Sequence, residues 1–129
     1  MPSKVRTHPT ALIVDDDRDT REMYSHFLSA TGVNAVEAED GMHGLAKALT
    51  ILPDVVTIDL RLPRLTGLQL CRLLKQQTRT RAIPVIALVD SATQDEVQAA
   101  RNAGCVSVLA KPCLPEILLG EIKRVLVLP

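Results

Sequence analysis

Five short apolar runs alternate along this chain with five segments in which apolar residues recur every three or four positions. The runs are 11–14, 34–38, 55–58, 85–89 and 106–110; those at 11–14 and 85–89 are apolar throughout, and 34–38, which contains Asn34 and Glu37, is the weakest. Short continuous runs are typical of strands buried on both faces, whereas the spacing between them is typical of helices. Strands joined through helices pair in parallel, because each connection crosses over the sheet. The sequence therefore predicts five βα units in an α/β domain, with helices on both faces of a parallel sheet.

Cap and turn residues mark where these segments begin and end. Thr93 and Glu96 have the spacing of a capping box at the start of the fourth helix. Pro115 lies near the first position of the last helix, where proline is favoured. Residues 1–10 contain two prolines, two threonines and scattered charge. We therefore expect a flexible N-terminal tail followed by one domain at 11–128.

The composition argues against several classes of partner. Lys plus Arg number 15 and Asp plus Glu number 15, so the formal net charge is zero. Proteins that bind the phosphate backbone of nucleic acids usually carry an excess of basic residues. One Tyr, one Phe and no Trp leave no aromatic platform for stacking bases. No apolar run approaches the roughly 18 residues of a membrane span. The three cysteines, Cys71, Cys105 and Cys113, lack Cys-x-x-Cys spacing, which indicates reduced thiols and a cytoplasmic protein.

Charged residues follow three of the predicted strands. Asp15, Asp16 and Asp17 come directly after the first, Asp59 ends the third, and Lys111 follows the fifth. In open parallel sheets, ligands bind beyond the carboxyl ends of the strands. Crowded carboxylates there would repel one another unless they held a divalent cation, and hard oxygen ligands suit Mg²⁺. Asp59 could then serve as a metal ligand or as a nucleophile toward phosphorus, with the lysine neutralising a phosphoryl group.

These residues also allow other interpretations. Three aspartates after a strand are commonly a helix cap in a solvated turn. An EF-hand fails, because Thr20 stands where that loop needs Gly and His26 where it needs Glu. A phosphatase of the haloacid-dehalogenase type needs Asp two residues after its nucleophile, but Arg61 occupies that position. Neither a phosphate-binding Gly-rich loop nor a nucleophile elbow occurs, so we expect no enzyme acting on an outside substrate.

In their order along the chain, these motifs resemble the receiver domains of two-component response regulators, the CheY-like superfamily. The resemblance covers about residues 10–128. The matching segments are Ala-Leu-Ile-Val-Asp-Asp-Asp at 11–17, Pro-Asp-Val-Val-Thr-Ile-Asp-Leu-Arg-Leu-Pro at 53–63, Ile-Pro-Val-Ile-Ala-Leu at 83–88, Ala-Gly at 103–104 and Lys-Pro at 111–112.

The resemblance implies a flavodoxin-like fold with strand order 2-1-3-4-5. It implies that Asp59 accepts a phosphoryl group from a histidine kinase or phosphotransfer protein, and that Lys111 contacts the phosphoryl oxygens. Mg²⁺ would be held by Asp15 or Asp16, by Asp59, and by the backbone carbonyl of Arg61. A cis peptide bond before the proline that follows the lysine is expected as well.

Two positions depart from the family pattern. Val89 stands where the family ends its fourth strand with Thr or Ser, and valine has no hydroxyl to bond a phosphoryl group. Val108 stands where the family has an aromatic residue that swings inward on activation. Ser91 is a candidate substitute for the missing hydroxyl. These departures leave open an alternative, a pseudo-receiver that acts as a protein–protein interaction module without phosphorylation.

The resemblance also implies an interaction face. Receiver domains pair or bind partners through helix 4, strand 5 and helix 5, which here are parts of 93–103, 106–110 and 115–126, and a homodimer is expected. The sequence ends soon after the fifth helical segment, so we expect no output domain within it. Both a stand-alone regulator and a fragment of a longer kinase or regulator fit this length.

Overall fold

Five strands, each followed by a helix, make up the computed structural model, which describes residues 8–128. The elements are β1 (Thr10–Val14), α1 (Arg18–Ala30), β2 (Asn34–Ala38), α2 (Gly41–Ile51), β3 (Val55–Asp59), α3 (Gly67–Gln76), β4 (Val85–Val89), α4 (Gln94–Ala103), β5 (Ser107–Ala110) and α5 (Pro115–Leu126). The strands form one parallel sheet in the order β2-β1-β3-β4-β5. The predicted flavodoxin-like α/β fold and its strand order are therefore confirmed.

The register of the sheet aligns the carboxyl ends of its central strands. Val14 of β1 is opposite Ile58 of β3, so the residues that follow them, Asp15 and Asp59, lie side by side. On the other side of β3, Val89 of β4 is opposite Ala110 of β5. The amide of Lys111 donates to the Val89 carbonyl at 2.7 Å, which extends the pairing one residue beyond β5. Parallel pairing thus brings acidic and basic residues to one edge of the sheet.

The sheet separates two hydrophobic cores. Because side chains alternate along a strand, Val56 and Ile58 of β3 face one core and Val55 faces the other. The first core packs against α2, α3 and α4 and includes Ala48, Leu70, Cys71 and Ala100. The second packs against α1 and α5 and includes Tyr24, Leu28, Leu118 and Ile122. All five β3 residues are buried, including the polar Thr57 and Asp59, as expected of a central strand covered on both faces.

Helix starts agree in part with the predicted cap residues. At α4 one arm of the predicted capping box is formed, since the Thr93 hydroxyl accepts from the Glu96 amide at 3.2 Å. Both arms of a capping box are formed at Thr66 and Gln69 of α3, where the glutamine side chain also bonds the Thr66 amide. Pro115 is the first residue of α5, as predicted.

Strand and tail boundaries differ slightly from the sequence expectation. β5 begins at Ser107, because Val106 only donates its amide to Val85 and leaves its side chain 46% exposed. β1 begins at Thr10, the last residue assigned to the tail. The carbonyl of Pro9, also in the expected tail, accepts from the Asn34 amide at 2.8 Å, and residues 1–7 lie outside the described residues. The helices at 8–128 include none that is long and apolar enough to cross a membrane.

Candidate functional site

Three carboxylates meet at the ends of β1 and β3. Oxygen atoms of Asp15, Asp16 and Asp59 all lie within 4.8 Å of one another. Asp15 is 1% exposed and Asp59 is 4% exposed, whereas Asp16 is open to solvent. The structure therefore brings together the three acidic residues that the sequence predicted as metal ligands.

The carboxylate of Asp15 has one oxygen without a protein partner. Its Oδ1 accepts a hydrogen bond from the Asp17 amide at 2.8 Å, but its buried Oδ2 has no partner among the described residues. Burial is the main cause that raises the pKa of Asp15 to about 6, and the neighbouring charge of Asp59 raises it further. A buried carboxylate oxygen without a donor is costly, and a cation at this position would relieve that cost.

Asp59 is held from both sides. Its Oδ2 accepts from Nζ of Lys111 at 2.7 Å, and its Oδ1 accepts from the backbone amide of Arg61 at 2.9 Å. Burial alone would lower the pKa of the Lys111 ammonium, but the hydrogen bond to Asp59 and the charges of Asp59, Asp15 and Asp90 outweigh burial and raise it. The lysine therefore remains a cation directed at this carboxylate. Its peptide bond to Pro112 is cis, as predicted.

A close backbone contact positions the segment beyond β3. The amide of Gly67 donates to the Leu60 carbonyl at 3.3 Å, at the first residue of α3. A Cβ atom on Gly67 would lie 2.5 Å from Leu60 Cα and 2.7 Å from the Asp59 carbonyl oxygen. Only glycine lets α3 begin this close to β3. The glycine thereby fixes the backbone on which Asp59 and Arg61 stand.

A fourth acidic residue, Asp90, extends the site beyond β4. Nη1 of Arg61 donates to its Oδ2, and its Oδ1 lies 3.6 Å from Nζ of Lys111. The hydrogen bond from Arg61 is the largest cause that lowers the pKa of Asp90. Asp90 was not among the predicted site residues, although its position directly after the run 85–89 is a signal of the same kind as that of Asp15 and Asp59.

The two atypical positions are both occupied by apolar side chains within the fold. Val89 ends β4 and is 2% exposed, and Val108 is half-buried against the first core. Neither offers a polar atom to the cluster. Ser91 is exposed in the connection to α4.

A second group of potential ligands lies at the start of α2. Oxygen and nitrogen atoms of Glu39, Asp40 and His43 are also within 4.8 Å of one another. Here the Asp40 carboxylate accepts from the His43 amide at 2.8 Å and caps the helix. This cap accounts for the cluster without a metal.

Comparison with known proteins gives the same family throughout. The model of the response regulator receiver domain matches residues 11–123. The chain is 34% identical over 119 residues to the transcriptional regulator RpaA of Synechocystis sp., covering 92% of this chain and 49% of RpaA, so it spans about half the length of that relative.

Two solved structures are similar over nearly the whole chain. Chemotaxis response regulator CheY4 of Vibrio cholerae has a TM-score of 0.88 and 32% identity, covering 92% of this chain and 99% of CheY4. The receiver domain of sensor histidine kinase PA1611 from Pseudomonas aeruginosa has a TM-score of 0.85 and 27% identity, covering 93% of this chain and 98% of that domain. That structure holds a magnesium ion in its active site cleft. This chain belongs to the response regulator receiver domains of two-component signal transduction.

Proposed function

We propose that Asp59 is the residue that accepts the phosphoryl group from a histidine kinase or phosphotransfer protein. The observation that carries this proposal is the arrangement of its carboxylate, which bonds Lys111 at 2.7 Å and the Arg61 amide at 2.9 Å. Phosphoryl transfer depends mainly on positioning and on cations that offset the charge of the moving group. A carboxylate fixed by a lysine and a backbone amide meets both needs.

The proposed reaction moves one phosphoryl group. The bond between phosphorus and the donor's histidine nitrogen breaks, and that nitrogen keeps the electron pair. A bond forms between phosphorus and a carboxylate oxygen of Asp59, which gives an acyl phosphate. Lys111 offsets the negative charge of the phosphoryl oxygens as a point charge.

The donor atoms present fit a magnesium ion. The unpartnered Oδ2 of Asp15 is the strongest support, and Asp16 and Asp59 supply further carboxylate oxygens within 4.8 Å. We propose the Arg61 backbone carbonyl as an additional ligand. When bound, Mg²⁺ would offset charge on the phosphoryl oxygens. The ion that the PA1611 receiver domain holds in its cleft supports this assignment.

The role of this chain is then signalling through a partner surface, without turnover of an outside substrate. We propose that α4, β5 and α5 form that surface and also mediate a homodimer. Support comes from exposed apolar side chains at the start of α5, where Leu114 is 61% and Ile117 is 55% exposed and the two are three residues apart in sequence. Neighbouring exposed apolar groups favour an interaction surface.

The decisive experiment is the intact mass of the protein after incubation with acetyl phosphate, with and without Mg²⁺. We expect a Mg²⁺-dependent gain of one phosphoryl group, and no gain for Asp59→Asn. Asp95→Asn, an exposed aspartate in the first turn of α4, is the matched control and should gain the group normally. If the wild type gains no phosphoryl group from acetyl phosphate or from a cognate kinase, the proposal is refuted. The phosphorylation-independent module would then be the better description.

A further inference from the structure

Four charged residues beyond β3, β4 and β5 are linked into a ring by three side-chain contacts and one backbone amide, and we call this arrangement the charge ring. Its members are Asp59, Lys111, Asp90 and Arg61. Lys111 lies between the two acids, 2.7 Å from Asp59 and 3.6 Å from Asp90. Arg61 completes the ring, since its amide bonds Asp59 and its guanidinium bonds Asp90. Two positive and two negative groups balance one another.

The ring connects the Asp59 carboxylate to α4. Asp90 is the first residue after β4, and Thr93, three residues on, caps α4. Val89, directly before Asp90, is buried and has no hydroxyl that could follow a phosphoryl group. The first side chain after β4 that contacts the site is the carboxylate of Asp90, which bonds Arg61 and lies 3.6 Å from Nζ of Lys111.

The two ion pairs of the ring differ in their exposure. The Lys111 and Asp59 side chains are 26% and 5% exposed, whereas Arg61 and Asp90 are 76% and 38% exposed. Exposed ion pairs are weak, because water screens them and both side chains lose freedom. The pair between Arg61 and Asp90 is thus the one that a new charge would break first.

We propose that Asp90 reports phosphorylation of Asp59 by losing its cations to the phosphoryl group. This inference rests on the proposed function. Phosphorylation changes the charge at Asp59 from −1 to about −2 and adds oxygens that guanidinium groups bind in pairs. Arg61 and Lys111 turn to these oxygens, and Asp90 is left facing negative charge. Repulsion then displaces the connection at 90–93 and the start of α4. The ion pair thereby replaces the hydroxyl that Val89 lacks.

The test is hydrogen–deuterium exchange of the full chain, with the phosphoryl content of each sample read by intact mass. In the wild type, phosphorylation should raise exchange at 90–97 by about threefold to fivefold, which is the size of effect an exposed ion pair supplies. Asp90→Asn and Arg61→Gln should show raised exchange before phosphorylation and little further change after it. Arg61→Lys should restore part of the response.

Arg64→Gln is the matched control, since it removes an exposed arginine from the same loop. It should respond like the wild type. A phosphorylated wild type with unchanged exchange at 90–97 would overturn the inference and leave the phosphoacceptor role intact. The inference also fails if Arg64→Gln matches Arg61→Gln, because the effect would then be one of net charge. A wild type that gains no phosphoryl group would overturn both the inference and the proposed function.

Discussion

Replacing Asp15 with asparagine should stabilise the metal-free protein. The carboxylate is buried, its Oδ2 has no partner among the residues at 8–128, and Asp59 is close by. Asparagine keeps the shape and the Oδ1 acceptor that bonds the Asp17 amide, and it removes the negative charge. The neutral amide also removes the repulsion between residue 15 and the nearby Asp59 carboxylate.

The magnitude follows from the pKa of Asp15, which rises from 3.8 to about 6, chiefly because of burial. Below about pH 4 the carboxyl is protonated in both the folded and the unfolded chain, so it costs nothing. Between pH 4 and 6 the unfolded chain loses the proton while the folded chain keeps it, and stability falls. Each pKa unit is worth about 1.4 kcal/mol, so the full loss is about 3 kcal/mol above pH 6.

The assay is urea denaturation of the wild type and Asp15→Asn between pH 4 and 7.5, with a chelator present. The two should be equal within about 0.5 kcal/mol at pH 4, and Asp15→Asn should be more stable by about 1–3 kcal/mol at pH 7.5. Asp16→Asn is the control. Its free energy of unfolding should differ far less from that of the wild type, because the charge of Asp16 is the smallest of the causes that act on the pKa of Asp15. When Mg²⁺ replaces the chelator, the free energy of unfolding should rise more for the wild type than for Asp15→Asn.

A difference between the two proteins that stays constant across this pH range would refute the reasoning. It would show that burial does not raise the pKa of Asp15 in the folded protein. An equal stabilisation of both proteins by Mg²⁺ would show in addition that Asp15 is no ligand.

Two further changes test the scaffold, both measured as the free energy of unfolding in urea. Tyr24→Phe should cost about 1–2 kcal/mol, because the buried phenol donates to the Cys113 carbonyl at 2.7 Å and its loss leaves that oxygen unpaired; an unchanged midpoint would contradict this. Gly67→Ala should cost about 1–3 kcal/mol, because the new Cβ would press on the backbone of Leu60 and Asp59. Gly120→Ala is its matched control, since an added Cβ there meets nothing within 4 Å and α5 should gain up to about 1 kcal/mol; a similar response at both glycines would refute the packing argument.

The sheet was predictable from the sequence because strands that are buried on both faces consist mainly of consecutive apolar residues. β3 and β4 are buried along their whole length; β4 is apolar throughout, and β3 is apolar apart from Thr57 and its last residue, Asp59. The convergence of Asp15, Asp16 and Asp59 was predictable for a related reason. Parallel strands end at one edge, so residues that follow neighbouring strands must meet there.

The ion pair between Asp90 and the Arg61 side chain was not predictable in the same way. Both side chains are exposed, and pairing between exposed charges depends on loop geometry that no periodicity encodes. The capping box at Thr66 was missed as well. Thr66 and Gln69 have the required spacing, but the segment before them has no regular pattern that would mark a helix start.

The division of the interior by the sheet has a consequence for how this chain tolerates change. Val55 and Val56 are neighbours in sequence, yet they pack into separate cores. A cavity made at Val56 is out of reach of side chains on α1 and α5, so compensation must come from α2, α3 or α4. Substitutions should therefore be epistatic within one side of the sheet and close to additive across it, whatever their distance along the chain. During evolution, the two cores would then accumulate substitutions independently of each other, although they share one backbone.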